Sequence, residues 1–336
     1  MFILGYNHKN YMPITLPKVS SQILSKNILN TINKNFTTIQ PIWLPIQMEW
    51  TNNLYRTFYD YEKFMIVMYL MTKTFDYYSK NFVKLNYCEF FSQYEVEIET
   101  FNIMEISKKL NIPKETARRK INELQESGAI KKINKKIIID RSTWPNIKPE
   151  VTMKNMSFFL STLSKMIVNE GLMIKPISSE DLIRVVKDNF SFVWKLYYDM
   201  QLPMLLTFKK IHGDLETFHV HGTCLTNHVL NAKKNDNSQM SKELYLDRYF
   251  FGDKQEFSGI NAMSISDITG IPRATVIRKL NKLVKEKFLV IDSKKHYSTN
   301  RTVHQKKLMA IQKKTFINLS KFAERIYNLS LIEKNN

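Results

Sequence analysis

Arginine and asparagine recur together at one spacing in two places, Arg119 with Asn122 and Arg278 with Asn281. Three residues apart on a helix, they share a face. A guanidinium presents a planar fork of donors and a carboxamide presents a donor beside an acceptor, so this face binds without supplying a nucleophile or a proton shuttle. It suits base edges, arginine to guanine and asparagine to adenine. Around the first pair stand Lys114, Glu115, Thr116 and Arg118, and around the second Arg273, Ala274, Thr275 and Ile277. The cations and hydroxyls suit phosphate oxygens, Glu115 can accept from a cytosine amino group, and Ala274 and Ile277 can touch only apolar edges such as a thymine methyl.

Other chemistry has less in its favour. His221, Cys224 and His228 fall at three- and four-residue spacing on one helical face, which could ligate a metal. The stripe lacks a carboxylate and is also what a packed core contains, so no metal and no cofactor is assigned. No P-loop, dinucleotide turn, HExxH, GxSxG or paired-cysteine zinc pattern occurs, and eight glycines leave little for phosphate-cradling loops. The sequence therefore gives no reason to expect an enzyme. Cys88 and Cys224 form no ligand-spaced pair and no disulfide framework.

The elements that must position the two Arg/Asn faces are short. Ser264 with Asp267 three residues on predicts a capped helix start, Gly270 a left-handed end, and Pro272 the start of a second helix over 272–286. Val276, Leu280 and Leu283 make its buried stripe, opposite Ala274, Arg278 and Asn281. Residues 288–298 read as two strands about a turn at Asp292-Ser293, with Lys294 and Lys295 beside the tip. Residues 104–124 repeat residues 263–283 without a gap at an offset of 159, with ten identities in twenty-one positions. The first copy predicts a second helix over 113–126 and strands 129–133 and 136–140 about a turn at Asn134-Lys135, with Lys135 and Lys136 at or beside its tip. Asn111 stands where the second copy has Gly270.

A helix, a tight turn, a second helix and a β-hairpin, with the run GIPRATVIRKL, resembles the winged helix-turn-helix of bacterial transcription regulators of the MarR and IclR type. The resemblance implies that the second helix enters the major groove by its N-terminal end, with the hairpin as a wing. MarR-type proteins carry flanking helices that dimerise. Here each half has a long amphipathic helix after its wing, over 150–170 and 305–330, so the resemblance implies two protomers fused into a pseudo-dimer. The same helices are the candidates for further homodimerisation.

Charge agrees with a polyanionic partner. The net charge is +19, and residues 104–140 and 263–300 each hold an excess of five cations. The longest apolar run, residues 64–71, is too short for a bilayer span, and the first ten residues lack a signal peptide's pattern. The expected location is cytoplasmic and nucleoid-associated, with no membrane partner.

The expected fold class is mostly α with small β wings, two winged domains flanked by long helices. Residues 1–45 read as an N-terminal extension, with Pro41 and Pro45 as breaks. Residues 46–174 read as the first domain, its core at 100–141, and 175–336 as the second, its core at 242–300. Residues 52–75 read as one long buried helix and 78–101 as the source of the first winged domain's leading helix. Ser178 predicts a cap for the next helix, Pro203 a break within 193–232, and 233–241 an exposed loop. The function these features imply is sequence-specific binding of double-stranded DNA by a transcriptional regulator with two non-identical recognition helices. A plasmid- or phage-type replication initiator with two winged domains is the alternative, and a non-DNA-binding interaction scaffold is another. The sequence names no small-molecule effector.

Overall fold

The computed structural model describes residues 20, 22–134, 136–143, 149–235, 242–246, 259–299 and 304–334. The arm over 1–19, Lys135 and most of the loop over 233–241 lie outside them. The described chain is mostly helical with two small antiparallel sheets, and its buried apolar side chains form one continuous core.

Helix α1 (Ser25–Lys34) leads into α2 (Phe36–Phe58), which runs through both Pro41 and Pro45. An interior proline costs about 3 kcal/mol. Phe36, Ile39, Trp43, Leu44 and Met48 are all buried along α2, and each buried side chain returns about 1.5–3 kcal/mol, so packing overrides the breakers. The expected domain edge at residue 45 therefore falls inside a helix. The expected single helix over 52–75 is in fact divided. Tyr59 takes a left-handed φ of 50°, and the Asp60 carboxylate accepts from the Glu62 and Lys63 backbone N–H groups at 2.8 and 3.1 Å, starting α3 (Tyr61–Lys80). A short α4 (Tyr87–Phe91) and strand β1 (Glu95–Ile98) then occupy the stretch expected to supply the leading helix. That place belongs to α3, which packs on α5 (Ile103–Leu110), α6 (Lys114–Glu126) and β1. Strands β2 (Ile130–Ile133) and β3 (Lys136–Asp140) complete a sheet of order β1-β3-β2, pairing Ile130 with Ile139 and Val96 with Ile139. Helix α7 (Glu150–Asn169) follows.

The second half repeats this order. Helix α8 (Ser179–Asp188), capped by Ser178 as its sequence predicts, leads into α9 (Phe190–His212) and α10 (Leu215–Asn235). Pro203 is another breaker overridden by burial, and the chain turns instead at Gly213, whose φ is 84°. Next come α11 (Lys242–Leu246), α12 (Ala262–Thr269), α13 (Arg273–Lys285), β4 (Leu289–Ile291), β5 (Tyr297–Thr299) and α14 (Gln305–Lys334).

Helices α1 and α2 match α8 and α9 residue for residue at an offset of 154, and α5 and α6 match α12 and α13 at 159. The repeat therefore includes much of what read as an extension. The Asn35 side chain donates to the Thr31 carbonyl at 2.9 Å, and Asn189 donates likewise to Val185 at 2.8 Å. Packing is crosswise: α1 lies on α14 and α8 on α7, while α2 lies on α10 and α9 on α3. At the centre the equivalent residues Gln47 and Gln201, both buried, exchange amide hydrogen bonds at 3.0 and 3.1 Å. The apolar seams of α7 and α14 face this shared core, with Leu160, Leu163, Leu319 and Phe322 all buried. Within one chain those seams are already covered.

Candidate nucleic-acid interface

Asn102 opens α5 by accepting from the Met104 N–H at 2.8 Å, and Asn261 opens α12 by accepting from the Ser264 N–H at 2.9 Å. The cap expected at Ser264 therefore sits one turn earlier, and Ser264 is the residue capped. Asn111 and Gly270 end these helices in the left-handed region, at φ of 50° and 74°. Ser107 and Ser266, identical in the repeat, donate to the carbonyls of Ile112 and Ile271, each at 2.7 Å. These hydrogen bonds fix the turn and hence the angle at which α6 and α13 emerge. Pro113 and Pro272 precede the two helices with nearly equal backbone angles, φ −52° and −54°.

On α6, Ala117, Ile121 and Leu124 are buried, while Lys114, Glu115, Arg118, Arg119 and Asn122 are exposed and Thr116 is half-buried. On α13, Val276, Leu280 and Leu283 are buried, while Arg273, Ala274, Ile277, Arg278 and Asn281 are exposed and Thr275 is half-buried. Each helix thus presents the expected set outward.

One repeated cation behaves otherwise. Lys120 and Lys279 are buried. The Lys120 ammonium lies 2.5 Å from Asp60 and 3.3 Å from Glu123, and Lys279 lies 2.8 Å from Asp214 and 3.0 Å from Glu216. Burial pulls the Lys120 ammonium downward, but the hydrogen bonds and charges of Asp60 and Glu123 outweigh it and raise its pKa. Asp60 comes from the corner that starts α3, and Asp214 and Glu216 from the start of α10, while Glu123 lies on α6 itself; the Asp60 and Asp214 pairs fasten α6 and α13 to their leading helices. Sequence spacing did not reveal these partners, although Asp60 and Asp214 are equivalent in the repeat.

The two faces differ in charge. Helix α6 carries Glu115, Glu123 and Glu126, whereas α13 has no acidic residue. Arg118 pairs with Glu115 at 3.2 Å and Arg119 with Glu123 at 3.4 Å. Among the described residues no carboxylate lies within ion-pair distance of Arg273 or Arg278.

Lys136 is exposed at the start of β3 and pairs with Glu97 at 2.9 Å. Lys294 and Lys295 are exposed in the β4–β5 turn, where the Asp292 carboxylate accepts from the Lys294 and His296 N–H groups at 2.9 and 2.8 Å. Lys295 itself takes a φ of 60°. Each module is also touched from the other half. Arg56, near the end of α2, donates to the Ile268 carbonyl at 3.0 Å, and Lys209 of α9 donates to the Asn111 carbonyl at 3.1 Å.

Of the histidine stripe, His221 and Cys224 are buried in the core and His228 is half-buried. His221 shares a hydrogen bond with His212 at 2.9 Å, and His212 stacks on Phe288. Burial pushes the Cys224 thiol up to about 12. Among the described residues no group of three or more His, Cys, Asp or Glu side chains is arranged to hold a metal. No described helix is long and apolar enough to cross a membrane. The chain matches no family model, no curated protein and no solved structure.

Proposed function

We propose that the chain is a sequence-specific double-stranded DNA-binding transcriptional regulator, a fused pseudo-dimer of two winged helix-turn-helix modules. Helices α6 and α13 are its recognition helices, and the β2–β3 and β4–β5 hairpins are its wings. One observation carries this reading. Of the cationic and amide side chains that recur in both helices, Lys120 and Lys279 are buried in ion pairs, while Arg119, Asn122, Arg278 and Asn281 all face outward. The strand order β1-β3-β2 and the crosswise packing of the flanking helices support the same reading.

Non-identical faces imply non-identical half-sites, about one helical turn apart if each module docks in its own major groove. Selection from a random duplex library followed by anisotropy titration tests this. The expected result is an imperfect palindrome, with Arg119→Ala and Arg278→Ala each weakening its own half-site. Failure to bind any duplex at moderate salt overturns the reading, and selection of direct repeats overturns the regulator form of it.

A further inference from the structure

Arg141 follows β3 immediately, and its side chain is 3% exposed. The guanidinium lies over two adjacent aromatic rings, 4.1 Å from the centroid of Phe90 and 4.7 Å from that of Phe91. Its Nη2 donates to the Phe90 carbonyl at 2.6 Å and to the Gln93 carbonyl, and its Nε to the Tyr94 carbonyl at 3.3 Å. Its Nη1 is buried with no hydrogen-bond partner, and among the described residues no carboxylate pairs with it. A buried cation is normally paired, because the charge otherwise loses its hydration without return. Burial alone pulls this guanidinium down to about 10, the neighbouring Tyr198 and Tyr78 opposing it only in part.

Arg141 forms part of the wall of a cavity of about 700 Å³, within the range of sites that enclose small molecules. The wall is largely aromatic, with Trp50, Phe75 and Phe90 from the first half and Phe190, Trp194 and Tyr198 from the second. Among the described residues two other charged groups line it, and both are already engaged. Arg56 donates to the Ile268 carbonyl, and Glu150 accepts from the Tyr87 hydroxyl at 2.5 Å. The second half has a counterpart cavity at the same place in the repeat, where Met204, Phe208 and Phe218 stand for Trp50, Leu54 and Phe64. It measures about 140 Å³, and among the described residues no lysine or arginine lines it.

We infer that the cavity beside Arg141 is a binding site for a small apolar acid, one carboxylate on an aromatic or aliphatic body, with a single such site per chain. The carboxylate supplies the missing counter-charge to Arg141 at the cavity wall, a charge-assisted contact of the strong kind, and the body fills the aromatic walls. A ligand there touches the end of β3 and α9 together, joining the first module's hairpin to the second half. The inference does not depend on DNA binding and is tested without DNA.

The full chain is titrated by calorimetry with benzoate, 4-tert-butylbenzoate and decanoate, each beside its neutral amide, while Trp50 and Trp194 report by fluorescence. The expected result is 1:1 binding of at least one carboxylate, at least tenfold tighter than its amide, with a change in tryptophan emission. Arg141→Gln should bring acid and amide to within about twofold, and Arg141→Lys should retain part of the difference. If none of the three acids binds, or an acid and its amide bind wild-type protein alike, the inference is overturned. Should Arg141→Gln fail to fold, the wild-type comparison and Arg141→Lys still decide it.

Discussion

Replacing Lys120 by methionine keeps an unbranched apolar stem and removes the ammonium. The Lys120 side chain is 11% exposed, and its partners Asp60 and Glu123 are 21% and 28% exposed. Removing one partner of a fully buried pair costs about 3–5 kcal/mol, and exposure of a fifth to a quarter of each carboxylate lowers this to about 2–3 kcal/mol. Glu123 keeps Lys63 at 2.8 Å, so the cost falls mainly on Asp60. Lys279→Met should cost no more, because its partners Asp214 and Glu216 are 39% and 33% exposed. Urea denaturation followed by tryptophan fluorescence measures the loss. Salt-dependent DNA binding measured on the same variants supplies the contrast. A lysine on a phosphate contributes about 0.9 to the slope of log affinity against log salt, so an anchoring lysine should leave that slope alone while lowering stability. If Lys120→Met lowers the slope by about one unit and leaves the urea midpoint where it was, the lysine faces DNA and its assignment as an anchor is wrong.

Gln47→Leu or Gln201→Leu alone strands a buried amide and should destabilise by about 1–3 kcal/mol, whereas the double variant should lie close to wild type in a urea double-mutant cycle. Burial lowers His212 to about 4 and His219 to about 3, so both are neutral in the native state. Their contribution is complete above the unfolded value near 6.5 and is lost as pH falls from there toward 4 and 3; the urea midpoint should drop between pH 7 and pH 5, and drop less in His212→Phe. Lys294→Ala with Lys295→Ala should reduce the salt slope by about 1–2 and weaken all duplexes alike, while Lys136→Ala, whose ammonium Glu97 already holds, should change it less.

The outward faces of α6 and α13 could be read from local sequence because burial on a helix follows a 3.6-residue period. Val276, Leu280 and Leu283 alone dictate that Arg278 and Asn281 point away, and the same holds for Arg119 and Asn122. The hairpins were likewise local, Asn134 and Asp292 marking turns between β-rich runs. The repeat at offset 159 was legible because buried Ile106, Ile112 and Leu124, the turn serine Ser107 and outward Arg119 and Asn122 all recur in it. The repeat at offset 154 was nearly silent. Its scattered identities, Asn35 with Asn189, Gln47 with Gln201 and Asp60 with Asp214, acquire meaning only when their hydrogen bonds and ion pairs are seen. Tertiary structure decided what depended on distant partners. It carried α2 through Pro41 and Pro45, because neighbouring helices bury its face and outweigh a penalty that local sequence registers in full. It made anchors of Lys120 and Lys279, since Asp60 and Asp214 arrive from corners some sixty residues away in sequence. And it left Arg141 buried with no counter-charge among the described residues, because which groups line a cavity is set by helices from both halves of the chain and by no periodicity within either.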